Sequence, residues 1–229
     1  MTQQRFDFAS ADLDRWVAAL GPLLKTMELL PRGSPFDALI KSMISGRTRD
    51  AVSLAAYENL RGRFRSPAKL ALASCDDIQR VIAEVTYPEI KAQWVTEALA
   101  KIAEERPDFD LGFLGRIPLD AALAWLERLP GVARKVAAAT LNGSTLNRAV
   151  FIVDTHVLRV MQRLAFVGPR EDMQSASEQV TAAAPGWSGD DFLELHVGMK
   201  RVGQLFCRPD IPHCTTCPLA FDCPSARRF

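Results

Sequence analysis

No stretch of the 229-residue chain is apolar for the ~20 residues that a bilayer-spanning helix requires, and no membrane role is expected. The opening segment MTQQRFDFASADLDRW holds no apolar h-region, so no secretory signal is expected there either. Charge of one sign is not in excess. Lys and Arg total 28 against 27 Asp and Glu, a formal charge of +1. Such a chain neither demands nor excludes a nucleic-acid partner, because a local basic face decides that. Alternating strand patterns, 20-to-50-residue repeats and low-complexity tracts are missing. Cysteine is missing from most of the chain: Cys75 stands alone, and the other four of five crowd into residues 207–223. An odd, clustered set without a secretion signal points to a metal or cluster site, not to a disulfide framework.

What is present is helical. Hydrophobic residues make up 48% and charged residues 24%, which suits a globular chain with one large or two small domains. Leu13, Trp16, Val17 and Leu20 recur at helical spacing between a candidate cap, Ser10, and a break at Gly21-Pro22. Ser34-Pro35 opens a helix whose apolar stripe is Phe36, Leu39, Ile40, Met43 and Ile44, with Asp37 favouring the positive end of the dipole. Asp50 is a candidate cap for the next helix, and Ser66 and Ser74 open two short ones. Tyr87-Pro88 interrupts before a helix over 90–102, and Asp120 begins the helix carrying Trp125 and Leu126. Further stripes cover Val157–Leu164, 175–183 and 191–202. The pattern predicts an all-α fold of about ten helices.

The stretch LPGVARKVAAATLNGSTLNRAVFIVDTHV, residues 129–157, holds the residues with chemical potential. Pro130-Gly131 permits a tight turn, with a second helix expected to open at Val132. Amides at a helix start form an anion site that reads no base, which suits a phosphate. An ordinary helix–turn–helix connection fits the turn equally well. Lys135 falls in that helix's first turn, where the positive dipole end and neighbouring Arg134 both disfavour its charge. A neutral lysine attacks carbon; a solvated one would merely touch phosphate. Asp154 follows four apolar residues and precedes a helix, the position of an N-cap. A capping carboxylate held rigidly could also stabilise a sugar cation or activate a nucleophile. His156 could join it, although a lone histidine is more often structural.

The tail Cys207-x6-Cys214-x2-Cys217-x5-Cys223 supplies four thiolates in loops stiffened by Pro209, Pro212, Pro218 and Pro224. Four thiolates suit a [4Fe–4S] cluster or a structural zinc. A zinc ribbon pairs two Cys-x2-Cys knuckles and only one is present, which favours iron–sulfur.

With LPGVARK, the VDTH at 153–156 and the cysteine tail in hand, the chain resembles the endonuclease III branch of the helix–hairpin–helix DNA glycosylases from about Pro31 to Cys223. The resemblance implies two helical domains with the active-site cleft between them. One would be a six-helix barrel over 32–148, with the helix–hairpin–helix at about 120–141. The other would be an iron–sulfur domain of 1–31 plus 149–229, with its cluster loop at 207–223. Lys135 would match the Schiff-base lysine, Asp154 the catalytic aspartate, and Cys207, Cys214, Cys217 and Cys223 the [4Fe–4S] ligands. Members flip a damaged base out of double-stranded DNA and cut its glycosidic bond; those with the lysine also cut the abasic site by β-elimination. Oxidised pyrimidines are the expected lesions, and a monomer in the cytoplasm of a bacterium, at the nucleoid, is the expected form.

DNA contact is expected from Gly131, Val132, Ala133 and Arg134 in the hairpin, and from Arg47, Thr86, Tyr87 and His156. Three positions depart from the family pattern. Ala133 replaces the hairpin's second glycine. Arg47 in SGRTRD stands where glutamine is usual. Thr86-Tyr87-Pro88 occupies the wedge loop without naming its wedge. A monofunctional glycosylase for mismatched, uracil-containing or alkylated bases is an alternative, although the chain ends soon after the cluster segment, without the further recognition domain expected of an adenine-mismatch enzyme. A non-catalytic damaged-DNA-binding protein is another.

Overall fold

The protein is described by a computed structural model covering residues 3–25 and 31–228, with side chains described over 10–25 and 31–226. Among these residues there are eleven α-helices and no strand. The chain divides into two compact units, 32–146 and the combination of 1–31 with 147–229.

The 32–146 unit contains α2 (Pro35–Ser45), α3 (Asp50–Phe64), α4 (Pro67–Ala71), α5 (Cys75–Val81), α6 (Pro88–Glu105), α7 (Leu119–Glu127) and α8 (Arg134–Asn142). Six of these have seven residues or more, and α4 is a single turn. Local chemistry sets several starts. The Ser34, Ser66 and Ser74 hydroxyls accept from the amides of Asp37, Lys69 and Asp77 at 3.1, 3.2 and 3.1 Å, each satisfying an otherwise orphaned helix donor. The stripe on α2 is fully engaged, with Phe36, Leu39, Ile40, Met43 and Ile44 all buried. Each large apolar side chain removed from water in this way contributes ~1.5–3 kcal/mol.

The other unit contains α1 (Gln3–Leu24), α9 (Thr155–Arg163), α10 (Met173–Ala183) and α11 (Gly189–Leu205), followed by short 3₁₀ turns through the cysteine tail. Its core joins Leu13, Trp16 and Leu20 of α1 to Val157, Val160 and Met161 of α9 and to Phe192, Leu195 and Met199 of α11. Gly203 lets α11 approach α9 closely, since a Cβ there would stand 2.8 Å from the Cβ of His156.

Four predicted boundaries move. Ser10 lies inside α1, which begins at Gln3, and Gly21-Pro22 does not end that helix. Proline removes one amide and crowds the preceding turn. Only one turn remains at that point, the Lys25 amide still reaches the Gly21 carbonyl at 3.1 Å, and fully buried Leu20 holds the segment in the core. Asp50 is the first helical residue of α3, and Arg49 stands at the cap without a side-chain bond. The Asp50 charge favours the dipole from within. Finally, α8 opens at Arg134 and not at Val132, because the hairpin takes two more residues in non-helical conformation.

Candidate active site and nucleic-acid interface

The hairpin is built around Gly131. Its φ of +74° lies in the left-handed region, and a Cβ there would come within 2.7 Å of both Cβ and Cγ of Trp94. Glycine is required on both counts. Ala133 is a different matter. As the N-cap of α8 it has φ −97° and ψ 176°, extended backbone that alanine adopts freely, and it is exposed. Val132 turns inward: its side chain is buried and its amide donates to the Leu129 carbonyl at 3.1 Å. Arg134 reaches back to α7, with Nε donating to Glu127 Oε1 at 2.5 Å, so its guanidinium buttresses the hairpin.

Lys135 follows in the first turn of α8. Its Nζ donates to Ser42 Oγ at 3.1 Å and to Ser45 Oγ at 3.2 Å. Both hydroxyls belong to the last turn and a half of α2, where the negative end of the helix dipole favours a cation. Ser42 is buried at 7% exposure, and Ser45 Oγ donates to the Ser42 carbonyl at 2.9 Å, which fixes its lone pairs for the amine. The spacing Ser42-x2-Ser45 was the available signal for this cradle, yet nothing in sequence couples it to a lysine ninety positions on.

Past α2 the chain enters the Ser45–Asp50 turn. Arg47 has φ +56° and is exposed. The Thr86-Tyr87-Pro88 turn lies against it. The Thr86 amide donates to Thr48 Oγ1 at 3.0 Å, and Thr86 Oγ1 donates to the Arg47 carbonyl at 3.0 Å. Tyr87 has φ +57° and is 51% exposed. A non-glycine residue held in the left-handed region stores strain that the surrounding structure must maintain, and here two such residues stand on adjoining turns. Along α6, Tyr87, Ile90 and Trp94 are all exposed large side chains at helical spacing, running toward Gly131.

Asp154 belongs to the other unit. The segment 150–153 before it is buried and non-helical, yet no strand pairs with it. Side chains satisfy its backbone instead. The Phe151 amide donates to Thr181 Oγ1 at 3.0 Å, Ser177 Oγ donates to the Phe151 carbonyl at 2.6 Å, and His196 Nδ1 reaches the Ile152 carbonyl at 2.8 Å. A buried peptide left unpaired would cost more than these bonds contribute, so the run is locked in place. Asp154 then caps α9. Its Oδ1 accepts from the amides of both His156 and Val157 at 2.9 Å. The carboxylate is half-buried, and Oδ2 takes no part in either cap bond.

His156 Nδ1 faces Arg159 at 3.3 Å, and Arg159 donates to the carbonyls of Gly203 at 2.8 Å and Cys207 at 2.7 Å. His156 is thus held within its unit, and the helix carrying Asp154 is tied to the first cysteine of the tail. Sequence reading passed over Arg159 and Arg163.

The four tail thiols line one small apolar cavity together with Arg163. Arg163 donates to Cys207 Sγ at 3.3 Å and to the carbonyl of Arg208 at 2.7 Å. Burial pushes the Cys214 and Cys217 thiols up, and each is pushed further by its neighbouring cysteines. Among the described residues no three His, Cys, Asp or Glu converge to hold a single metal ion. The donor chemistry, four thiols facing one apolar space with an arginine beside them, fits a group larger than one ion and bearing negative charge. Asp222, next to Cys223, anchors the tail to α1 by accepting from Arg15 at 2.5 Å and from Trp16 Nε1 at 2.8 Å. These two bonds hold its carboxyl below the ordinary range.

Residues 40–185, which include Lys135 and Asp154, match the family described as the HhH-GPD superfamily of base excision DNA repair proteins. The chain belongs to that superfamily. Its similarity is to the endonuclease III branch. It is 31% identical over 194 residues to endonuclease III of Thermotoga maritima, covering 85% of this chain and 84% of that protein. It is also 31% identical over 202 residues to the chloroplastic endonuclease III homolog 2 of Arabidopsis thaliana, covering 86% of this chain and half of that one. The fold matches a trapped endonuclease III–DNA covalent intermediate with a TM-score of 0.75 at 21% identity, over 100% of this chain and 98% of that one. This HhH-GPD protein is accordingly a base excision DNA glycosylase/AP lyase of the endonuclease III type, with the all-helical fold that goes with it.

Proposed function

We propose that the protein is a bifunctional enzyme that excises oxidised pyrimidines from double-stranded DNA and then cuts the abasic site. The observation that carries this reading is the placement of Lys135: a lysine at a helix start, directly after the glycine hairpin, with its Nζ held by two hydroxyls and a helix C-terminus. Lys135 attacks C1′ as the base departs with the glycosidic electron pair; once the amine has lost a proton, its lone pair opens the sugar ring, breaking the C1′–O4′ bond with O4′ taking up a proton, and a covalent protonated imine remains. That imine acidifies C2′, a proton leaves there, and the C3′–O bond breaks with the phosphate as leaving group. Asp154, with Oδ2 outside its cap bonds, stabilises the cationic sugar and takes up the amine proton.

Contact with the DNA backbone falls to Gly131, Ala133 and the opening amides of α8, a sequence-independent anion site. Arg47 and Tyr87 occupy the gap left by the extruded base, with Thr86 spent on holding their turns together. Cys207, Cys214, Cys217 and Cys223 are the residues that hold a [4Fe–4S] cluster; bound there, the cluster crosslinks the tail. The protein acts as a monomer on damaged or abasic duplex DNA, in the cytoplasm at the nucleoid. The decisive measurement is borohydride trapping on duplexes carrying one oxidised pyrimidine or one abasic site, with base release and nicking read separately. Wild type gives a covalent protein–DNA adduct and Lys135→Ala gives none. No adduct with wild type, or an undiminished one with the variant, removes the lysine from its role and leaves a monofunctional glycosylase.

A further inference from the structure

Lys91 is a charged residue that the reaction does not use, and it is buried at 5% exposure. It stands in the first turn of α6, and its Nζ donates to the Gly46 carbonyl at 2.7 Å and to Thr48 Oγ1 at 3.0 Å. Among the described residues no carboxylate pairs with it, and desolvation by burial lowers its pKa. A buried ammonium without an acid partner is costly, and what this one secures is specific.

Thr48 Oγ1 is the hub. It takes the Lys91 ammonium and the Thr86 amide, and stands 3.3 Å from the Gly46 carbonyl. The Arg47 carbonyl takes Thr86 Oγ1. Through these bonds the Ser45–Asp50 turn and the 86–88 turn become one piece, and it is the piece that holds Arg47 and Tyr87 in left-handed conformations. Each such residue is strained and persists only where its surroundings over-determine it. Neither turn has a regular element to do so. α2 has ended at Ser45, and Tyr87 is itself the uncapped start of α6.

We propose that Lys91, acting through Thr48, is a positioning residue that presets Arg47 and Tyr87 for entry into the DNA. This rests on the reading that those two side chains meet the duplex. With the turns preset, binding does not have to order them, and affinity gains accordingly. Lys91 stays out of the chemical step, which belongs to Lys135.

Three measurements test this on the full chain: amide hydrogen exchange of the free protein, affinity for an abasic duplex, and the single-turnover nicking rate at saturating enzyme. Lys91→Met and the near-isosteric Thr48→Val each speed exchange at both turns. Each also weakens binding by about tenfold, the 1.4 kcal/mol scale of one or two lost hydrogen bonds, with the saturated rate within about twofold of wild type. Thr48→Ser, which keeps the hydroxyl, restores both exchange and affinity. Should Lys91→Met fail to fold, the Thr48 pair carries the test alone. Unchanged exchange in Thr48→Val overturns the positioning role, as does a lost saturated rate at unchanged affinity. Faster exchange with wild-type affinity, together with an Arg47→Ala/Tyr87→Ala double variant that also binds like wild type, places the failure in the DNA reading instead.

Discussion

Replacing Gly131 with alanine tests the hairpin at its most constrained atom. Two separate costs arise. The first is conformational: at φ +74° an L-residue pays roughly 1–2 kcal/mol relative to glycine. The second is steric. The added methyl would lie 2.7 Å from Trp94 Cβ and Cγ and 2.8 Å from Cδ2, too near for any ordinary contact. Trp94 is 40% exposed, so its ring can swing away, but its Cβ is fixed to α6 and cannot. Relieving the overlap displaces either the ring or the 129–133 turn, adding about 1–3 kcal/mol of the kind seen on overpacking. The expected total is a loss of about 2–5 kcal/mol, read as a shift in urea midpoint at unchanged slope. A double-mutant cycle separates the terms. In a Trp94→Ala background the ring contacts vanish while the Cβ contact and the backbone cost remain, so Gly131→Ala should cost less there by on the order of 1 kcal/mol. Equal costs in both backgrounds, or a loss below about 0.5 kcal/mol in the wild-type background, the scale of an ordinary surface change, would refute the packing of Trp94 against Gly131.

Capping and chemistry separate at Asp154, because asparagine caps as well as aspartate: Asp154→Asn should keep stability within about 0.5 kcal/mol while single-turnover base excision falls by at least about a hundredfold, and Asp154→Ala should lose about 1 kcal/mol as well. Equal activity in Asp154→Asn and wild type would leave the residue a cap only. Lys91 gives a pH signature. Its pKa falls from 10.5 to about 8 on folding, so between those values the unfolded chain binds the extra proton and stability rises with pH. Relative to Lys91→Met, wild type should therefore gain on the order of 1–3 kcal/mol between pH 8 and 10.5, a gain lost as pH falls through about 8. Chemical denaturation of both proteins across that range checks it, and parallel curves would show that Lys91 titrates normally.

Helices were legible where their causes are local. A serine followed by proline or a small residue at 34, 66 and 74 caps the helix it precedes, because the bond spans only three positions. Boundaries failed where tertiary packing outweighed local preference. Pro22 reads as a terminator, yet Leu20 buried in the core carries α1 past it. Asp50 reads as a cap, yet the chain enters α3 one residue sooner, because Arg49 already takes the extended conformation that a cap needs. At the hairpin the sequence motif named the right glycine and misplaced the helix start, since Val132 is drawn inward by the Leu129 carbonyl and delays α8 to Arg134.

Ala133 shows how a departure from a family pattern becomes intelligible only with dihedral angles. A glycine is required for one of two reasons, left-handed backbone or close approach. Gly131 needs it for both, whereas Ala133 is extended, exposed and at a cap. The hairpin therefore keeps its turn, and alanine costs only a cap bond that glycine could not have made either. The residues that hold the candidate chemistry in place were illegible for the opposite reason. Ser42 and Ser45 meet Lys135 across ninety positions, Lys91 meets Gly46 and Thr48 across more than forty, and Arg159 meets Cys207 across a similar gap. Ser45 and Thr48 lie in SGRTRD, yet nothing in that motif announces these partners, and Ser42, Lys91 and Arg159 stand outside the quoted motifs; each works by filling an acceptor or donor that another part of the chain leaves open. A sequence can announce a nucleophile by its neighbours along the chain; the groups that aim it come from wherever the fold has a hydroxyl or carbonyl to spare.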